Sequence, residues 1–148
     1  DVSFVQDNHS MSIYGVLRGL HFQKKPYEQA KLVRVIGGAI LDVIVDLRLS
    51  SPTFKEWASI YLSKKNRKQL WIPEGFAHGF LSLTKQTEVN YKTNNFWNKE
   101  SERTLLWNDL DLEINWKLNK LKLNSPIISD KDIRGDSLQE LINKKDLF

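Results

Sequence analysis

The chain of 148 residues is 41% hydrophobic, 27% charged and 11% aromatic, a balance that suits one compact domain and excludes a disordered chain or a coiled coil. It contains no cysteine, which removes disulfides, thiolate zinc sites and a cysteine nucleophile together and suits a reducing, cytoplasmic setting. Its net charge of +4 invites an anionic partner, yet 18 acids interleave with 22 bases, unlike the lopsided stripe of a nucleic-acid surface.

From Asp1 the chain runs straight into Val2-Ser3-Phe4-Val5, with no signal-peptide pattern. The first predicted strand is Ser3–Asn8. Between Arg18 and Arg34 stand five bases (Arg18, Lys24, Lys25, Lys31 and Arg34) and one acid, Glu28, an excess that fits a phosphate-bearing small molecule. Lys31–Ile36 and Ala39–Leu47 flank Gly37-Gly38, which reads as a tight hairpin supplied with positive φ by glycine. In the second run Leu41, Val43, Val45 and Leu47 alternate with Asp42, Ile44, Asp46 and Arg48, the period of a half-buried strand. The longest apolar stretch, around Val35–Val45, is broken by Gly37, Gly38 and Asp42 and is shorter than the ~18 residues a membrane helix needs, so no membrane partner is expected.

Further strands are predicted at Glu56–Leu62, Gln69–Ile72, Gly79–Leu83, Glu88–Thr93 and Thr104–Trp107. The basic run Lys64-Lys65-Asn66-Arg67-Lys68 reads as a solvated turn. Turn residues recur at the spacing of an all-β sandwich or barrel, and no strand–helix alternation appears before residue 128. One helix is expected, Lys131–Lys144, opened by Ser129 and carrying Leu138, Leu141 and Ile142 on one face. No internal repeat or linker interrupts the chain.

Pro73-Glu74-Gly75-Phe76-Ala77-His78 has the PxGxxH form of the second cupin motif, whose turn aims a His into a barrel mouth. The HxH of a metal-binding first motif is missing, since His21 is followed by Phe22-Gln23 and His9 stands alone. Three scattered His without Cys make a poor metal site, and none is expected. Taken singly, His21 reads as a hydrogen-bonded core histidine, Asp132 as a helix-start residue after the Ser129 cap, Tyr91 as a buried or interfacial tyrosine beside Val89 and Thr93, and Lys31 as a surface cation.

The motifs taken together change that reading. Phe4-Val-Gln-Asp-Asn-His-Ser10, Gly15-Val-Leu-Arg-Gly-Leu-His-Phe-Gln23, Lys31-Leu-Val-Arg34, Asp42-Val-Ile-Val-Asp-Leu-Arg48, Ser51-Pro-Thr-Phe54, Arg67-Lys-Gln-Leu-Trp-Ile-Pro-Glu-Gly-Phe-Ala-His-Gly-Phe80 and Tyr91-Lys-Thr93 closely resemble the dTDP-4-dehydrorhamnose 3,5-epimerase family. Trp107-Asn-Asp109 and Ser129-Asp-Lys-Asp132 extend the match to about residue 133. The resemblance implies an all-β, cupin-type (jelly-roll) β-barrel with a short C-terminal helical segment. It implies a single domain over residues 1–148 lacking the family's N-terminal strands, a homodimer, no cofactor and no metal, and as substrate a dTDP-4-keto-6-deoxyhexose.

It also implies roles. His21 is the base, paired with Asp132; Tyr91 is the acid; Lys31 and His78 contact the sugar oxygens; Gln6, Asn8, Arg18, Glu102 and Lys131 contact the substrate, chiefly its nucleotide and diphosphate. A C4 ketone acidifies the hydrogens on C3 and C5, so an imidazole titrating near neutral pH can remove them if the enolate is stabilised. An ammonium at Lys31 would supply that stabilisation, and a phenol at Tyr91 stays protonated at neutral pH, ready to donate from the opposite face. The aromatic pair that is often Tyr-Tyr in the family is Phe96-Trp97 here. This keeps stacking area but removes phenol hydrogen bonds. The expected reaction is inversion at C3 and C5 in the route to dTDP-L-rhamnose. Inversion at one carbon only, or sugar-nucleotide binding without catalysis, stand as alternatives.

Overall fold

A computed structural model describes residues 2–148; Asp1, where the chain starts, lies outside them. Nine strands are formed: β1 (Gln6–Ser12), β2 (Leu17–Gln23), β3 (Lys31–Gly37), β4 (Ala39–Asp46), β5 (Trp57–Ser63), β6 (Gln69–Ile72), β7 (Phe76–Ser82), β8 (Thr87–Thr93) and β9 (Glu102–Thr104). Two short helices follow, α1 (Asp130–Ile133) and α2 (Leu138–Asn143). The strands build two antiparallel sheets, β1-β8-β3-β6 and β5-β4-β7-β2-β9, which face each other as the two walls of a jelly-roll barrel. Among the described residues no helix is long and apolar enough to cross a membrane.

Strand alternation decides what lies between the walls. Val33 and Val35 of β3, Ile40 of β4, Leu62 of β5, Phe80 of β7 and Val89 of β8 form one buried cluster inside the barrel. Leu41, Val43 and Val45 point to the other face of β4 and form a second cluster with Leu112, Trp116, Leu138 and Leu141 of the C-terminal segment. β4 is therefore buried on both faces rather than half-buried, because residues 105–148 cover what would otherwise be its solvent side.

Two local readings are corrected. Gly37-Gly38 is not a hairpin turn: β3 and β4 belong to different sheets, and the glycines carry the chain from one wall to the other. Gly38 has φ of 70°, and a Cβ there would lie 2.1 Å from Thr84 Oγ1 and 2.5 Å from the Gln86 carbonyl, so the corner is closed to any side chain. The expected single helix is two. Gly135 and Asp136 run extended beside β9, with Leu106 N–H donating to the Asp136 carbonyl and Asp136 N–H to that of Thr104. The chain then re-enters helix at Ser137, whose hydroxyl and the Glu140 carboxylate form a capping box. Leu138 and Leu141 are buried, with Ile142 packed against the same cluster.

β6 runs Gln69–Ile72 as predicted, other strand ends shift by up to four residues, and β1 begins at Gln6 rather than Ser3. Lys64–Lys68 forms an exposed turn, as expected, tied by Asn66, whose side chain accepts from Ser63 N–H and Lys68 N–H. The Ser51-Pro52-Thr53 motif is a clasp: both hydroxyls donate to Asp46 Oδ2, at 2.6 and 2.7 Å, and Arg48 closes on the same carboxylate.

One buried side chain holds the C-terminal segment. Asp109 Oδ1 accepts from the backbone N–H groups of Asp111 and Leu112, and its Oδ2 accepts from that of Leu138 at 2.8 Å, the first residue of α2. Asp109→Ala strands those donors in a dry environment, so the variant should lose roughly 3–5 kcal/mol of stability. Urea denaturation followed by tryptophan fluorescence checks this, and an unchanged midpoint would show that α2 docks without Asp109.

Candidate active site

Strand β2, which the sequence does not announce because Arg18, Gly19 and His21 break its apolar pattern, carries the centre of the site. Its ladder with β7 is interrupted between Arg18 and His21. Gly19 sits at the break with φ of 109°, and a Cβ there would lie 2.6 Å from the His78 carbonyl. Only glycine lets β2 press this closely on β7. The break resets the register so that His21 stands directly opposite His78.

His21 Nε2 lies 2.6 Å from Asp132 Oδ1. The other carboxylate oxygen accepts the Gly19 N–H at 3.1 Å. Asp132 arrives on α1, whose cap Ser129 accepts its backbone N–H. Hydrogen bonds from His21 and Gly19 outweigh burial and hold the Asp132 carboxyl below its ordinary value, so it stays ionised beside the imidazole.

The facing wall supplies the other groups. Lys31 on β3 is 6% exposed, and burial pushes its ammonium down to about 8, against the opposing pull of Asp42 and Glu102. Its Nζ donates to the His21 carbonyl at 3.3 Å. Tyr91 on β8 points to the same interior, and burial raises its phenol, so the hydroxyl keeps its proton through the neutral range. His78 on β7 is buried, with Nε2 3.0 Å from Asp42 Oδ2.

These groups line a cavity of about 580 Å³, and every residue to which the family resemblance gives a catalytic or substrate-contact role reaches it. Gln6 and Asn8 enter from β1, joined at 2.8 Å. Arg18 is anchored by Ser12 Oγ at 2.9 Å, and Lys131 pairs with Glu102 at 2.6 Å on the rim. Trp97 lines the opening while Phe96 points away and is 64% exposed. Ser10 and Phe80 also line the cavity, and Asp42 lies behind His78; these three were not singled out from sequence. Ser10 and Phe80 sit at alternate positions in strands whose neighbours were, so strand period alone could have found them. Among the described residues no group of three or more His, Asp or Glu is placed to hold a metal ion.

The arrangement is suited to moving protons on carbon beside a carbonyl: an imidazole oriented by a carboxylate, a phenol held protonated and a buried ammonium. The family model for dTDP-4-dehydrorhamnose 3,5-epimerase matches residues 1–140. The enzyme of that name from Shigella flexneri is 55% identical over 134 residues, which are 90% of this chain and 71% of that protein. The crystal structure of the Bacillus anthracis dTDP-4-dehydrorhamnose 3,5-epimerase with TDP and PPi bound is 50% identical, with a TM-score of 0.87 over 92% of this chain and 75% of that one. That of the dTDP-6-deoxy-D-glucose-3,5-epimerase from Legionella pneumophila, in complex with dTDP-4-keto-L-rhamnose, is 43% identical, with a TM-score of 0.91 over 99% of this chain and 74% of that one.

A buried ammonium that titrates near 8 carries a stability cost. Because the unfolded chain holds this proton up to its ordinary value of 10.5, folding releases it between about 8 and 10.5, and stability contributed through Lys31 rises with pH across that window. At neutral pH the charge costs about 3 kcal/mol. Lys31→Met should therefore melt several degrees higher than the parent at pH 7, with the difference shrinking by pH 10.5. Thermal melts at the two pH values check both signs, and a variant less stable at pH 7 would show that the ammonium stabilises the fold.

Proposed function

This chain belongs to the dTDP-4-dehydrorhamnose 3,5-epimerase family, and we propose how its residues carry out that reaction: inversion at C3 and C5 of dTDP-4-keto-6-deoxy-D-glucose to give dTDP-4-keto-L-rhamnose. His21 removes the hydrogen on the carbon beside the C4 ketone. With Nε2 engaged by Asp132, Nδ1 is the nitrogen left to take the proton, and the ionised Asp132 stabilises the imidazolium that forms. The C–H electrons move onto O4, where the Lys31 ammonium meets the developing oxyanion in a site that needs no reorganisation to receive it. Tyr91 donates its phenolic proton to the opposite face of the carbon and regains one from solvent, while His21 releases the abstracted proton. His78 contacts the sugar oxygens. Arg18, Lys131, Gln6, Asn8 and Glu102 hold the nucleotide and diphosphate, and Trp97 offers a face for the base to stack on.

The observation that carries this assignment is the placement of base and acid on different walls. His21 stands on β2 in one sheet and Tyr91 on β8 in the other, and both line one cavity. Inversion needs a proton taken from one face and returned to the other, and two facing sheets supply that relation without a conformational change.

The whole length acts as one catalytic unit in the cytoplasm, and the active form is a homodimer. The outer face of the β1-β8-β3-β6 sheet supports the latter. It carries Met11, 62% exposed, and Trp71, 42% exposed, with Phe4 edge-on to the Trp71 ring, and none of the C-terminal segment covers it.

Incubation of the keto-sugar nucleotide with the protein in heavy water tests the reading: deuterium should enter at both C3 and C5, and uptake at one carbon only would reduce the activity to a single-site epimerase. His21→Ala should lower exchange at both positions by at least ~10²–10⁴-fold. Tyr91→Phe should leave deprotonation in place but return the proton to the face it left, so exchange should outrun inversion. An exchange-to-inversion ratio equal to that of the parent would remove Tyr91 from the acid's role.

A further inference from the structure

Asp42 has no part in the steps above, yet it is the charged side chain sealed most completely beside them. It lies on β4 at 0% exposure and does not line the cavity. Oδ2 accepts from His78 Nε2, while Oδ1 is buried without a hydrogen-bond partner. An oxygen of that kind is costly in a barrel interior unless positive charge nearby offsets it.

The charges around Lys31 show where the compensation lies. Asp132, Glu102 and Asp42 are the carboxylates at or behind the cavity wall, and of these Asp42 and Glu102 act on Lys31. Asp132 is engaged by His21 and the Gly19 N–H, and Glu102 is paired with Lys131 at 2.6 Å. Asp42 has a fully buried oxygen uncommitted, and of the groups that favour the charged form of Lys31 it acts more strongly than Glu102. The remaining titratable neighbours on the cavity wall are His21 and Arg18 of β2, His78 of β7 and Tyr91 of β8, none of which supplies negative charge at neutral pH.

We propose that Asp42 is a positioning residue for the epimerisation: it holds His78 through Nε2, leaving Nδ1 toward the sugar, and its negative charge keeps Lys31 an ammonium at working pH. The kinetic consequence rests on the epimerase reading; the two physical consequences, the tautomer of His78 and the titration of Lys31, do not.

Asp42→Asn keeps the shape and can still accept from Nε2–H but removes the charge. The titration of Lys31, followed by NMR on protein with ¹⁵N-labelled lysine, should fall by roughly one pH unit relative to the parent. The alkaline limb of kcat for solvent exchange should fall with it, with KM little changed. In the Asp42→Asn/Lys31→Arg double variant that limb should disappear, because a guanidinium does not titrate there. A Lys31 titration unmoved by Asp42→Asn overturns the proposal even if the protein proves inactive on the keto-sugar. A moved titration with no activity in the parent overturns the epimerase reading and leaves the electrostatic role standing. Should Asp42→Asn fail to fold, the ¹⁵N shifts of His78 in the parent decide: the Nε2-protonated tautomer supports the arrangement, and the Nδ1-protonated tautomer overturns it.

Discussion

The 2.6 Å contact between His21 Nε2 and Asp132 Oδ1 joins groups 111 positions apart in the chain, and both the site and the C-terminal segment are arranged around it. Asp132 can reach β2 only because residues 105–148 wrap the outer face of the β5-β4-β7-β2-β9 sheet. That wrapping is driven by burial of Leu112, Trp116, Leu138 and Leu141 against Leu41, Val43 and Val45, at roughly 1.5–3 kcal/mol for each large side chain. The dyad does not hold the segment down; the apolar contacts do, and they deliver the carboxylate to its place. Gly19 completes the geometry from the other side, since its N–H satisfies the second carboxylate oxygen and its missing Cβ lets β2 close on β7.

The two faces of β4 divide the molecule's tasks. Leu41, Val43 and Val45 hold the C-terminal segment, while Ile40 belongs to the barrel interior and Asp42 stands against His78. A strand covered on both sides has no face on which a charge is cheap, so a carboxylate at Asp42 needs a purpose that packing cannot supply. Lys31 poses the same question on β3. Its ammonium is driven down by burial and would be better replaced by an apolar group if stability were the only demand. Under the proposed reaction, opposite charges held inside the barrel at fixed positions are suited to an oxyanion transition state, because groups already in place need not turn to meet it.

Much of this was legible in the sequence, unevenly and for physical reasons. Strands with clean alternation and turn boundaries, β3, β6 and β8, were read to within a residue or so, and the all-β class followed from their spacing. β2 does not read as a strand, because Arg18, Gly19 and His21 spoil its apolar pattern. The Gly37-Gly38 corner was legible as a place of positive φ but not as a change of sheet, since a hairpin and a crossover between walls use the same glycines. For Asp42, alternation shows that it faces away from Leu41 and Val43, but not that a second wall stands on that side. Likewise Lys31, Tyr91 and Asp132 each have an ordinary local reading. It is their convergence from β3, β8 and α1 on one cavity that gives them a common chemistry, and convergence is a property of topology. The motifs conveyed it only through resemblance.

The same strand period that builds the core places the reactive groups, which ties the site to the fold more closely than a loop-borne site would be. Lys31, Val33 and Val35 share one face of β3; Val89 and Tyr91 share one face of β8, with Val33 opposite Tyr91 in the ladder. A register slip of one residue in either strand would turn the apolar groups outward and remove the ammonium or the phenol from the cavity in the same movement. Hydrophobic burial therefore protects the register of the cavity lining directly, at no separate cost. The apolar floor formed by Val33, Val35, Ile40, Phe80 and Val89 serves a second end, since it lowers the dielectric around Lys31 and Tyr91 and so produces the downward shift of one and the upward shift of the other. A buried ammonium held below its ordinary value and a phenol that keeps its proton through the neutral range thus come from one cause, the depth at which β3 and β8 bury their inward faces.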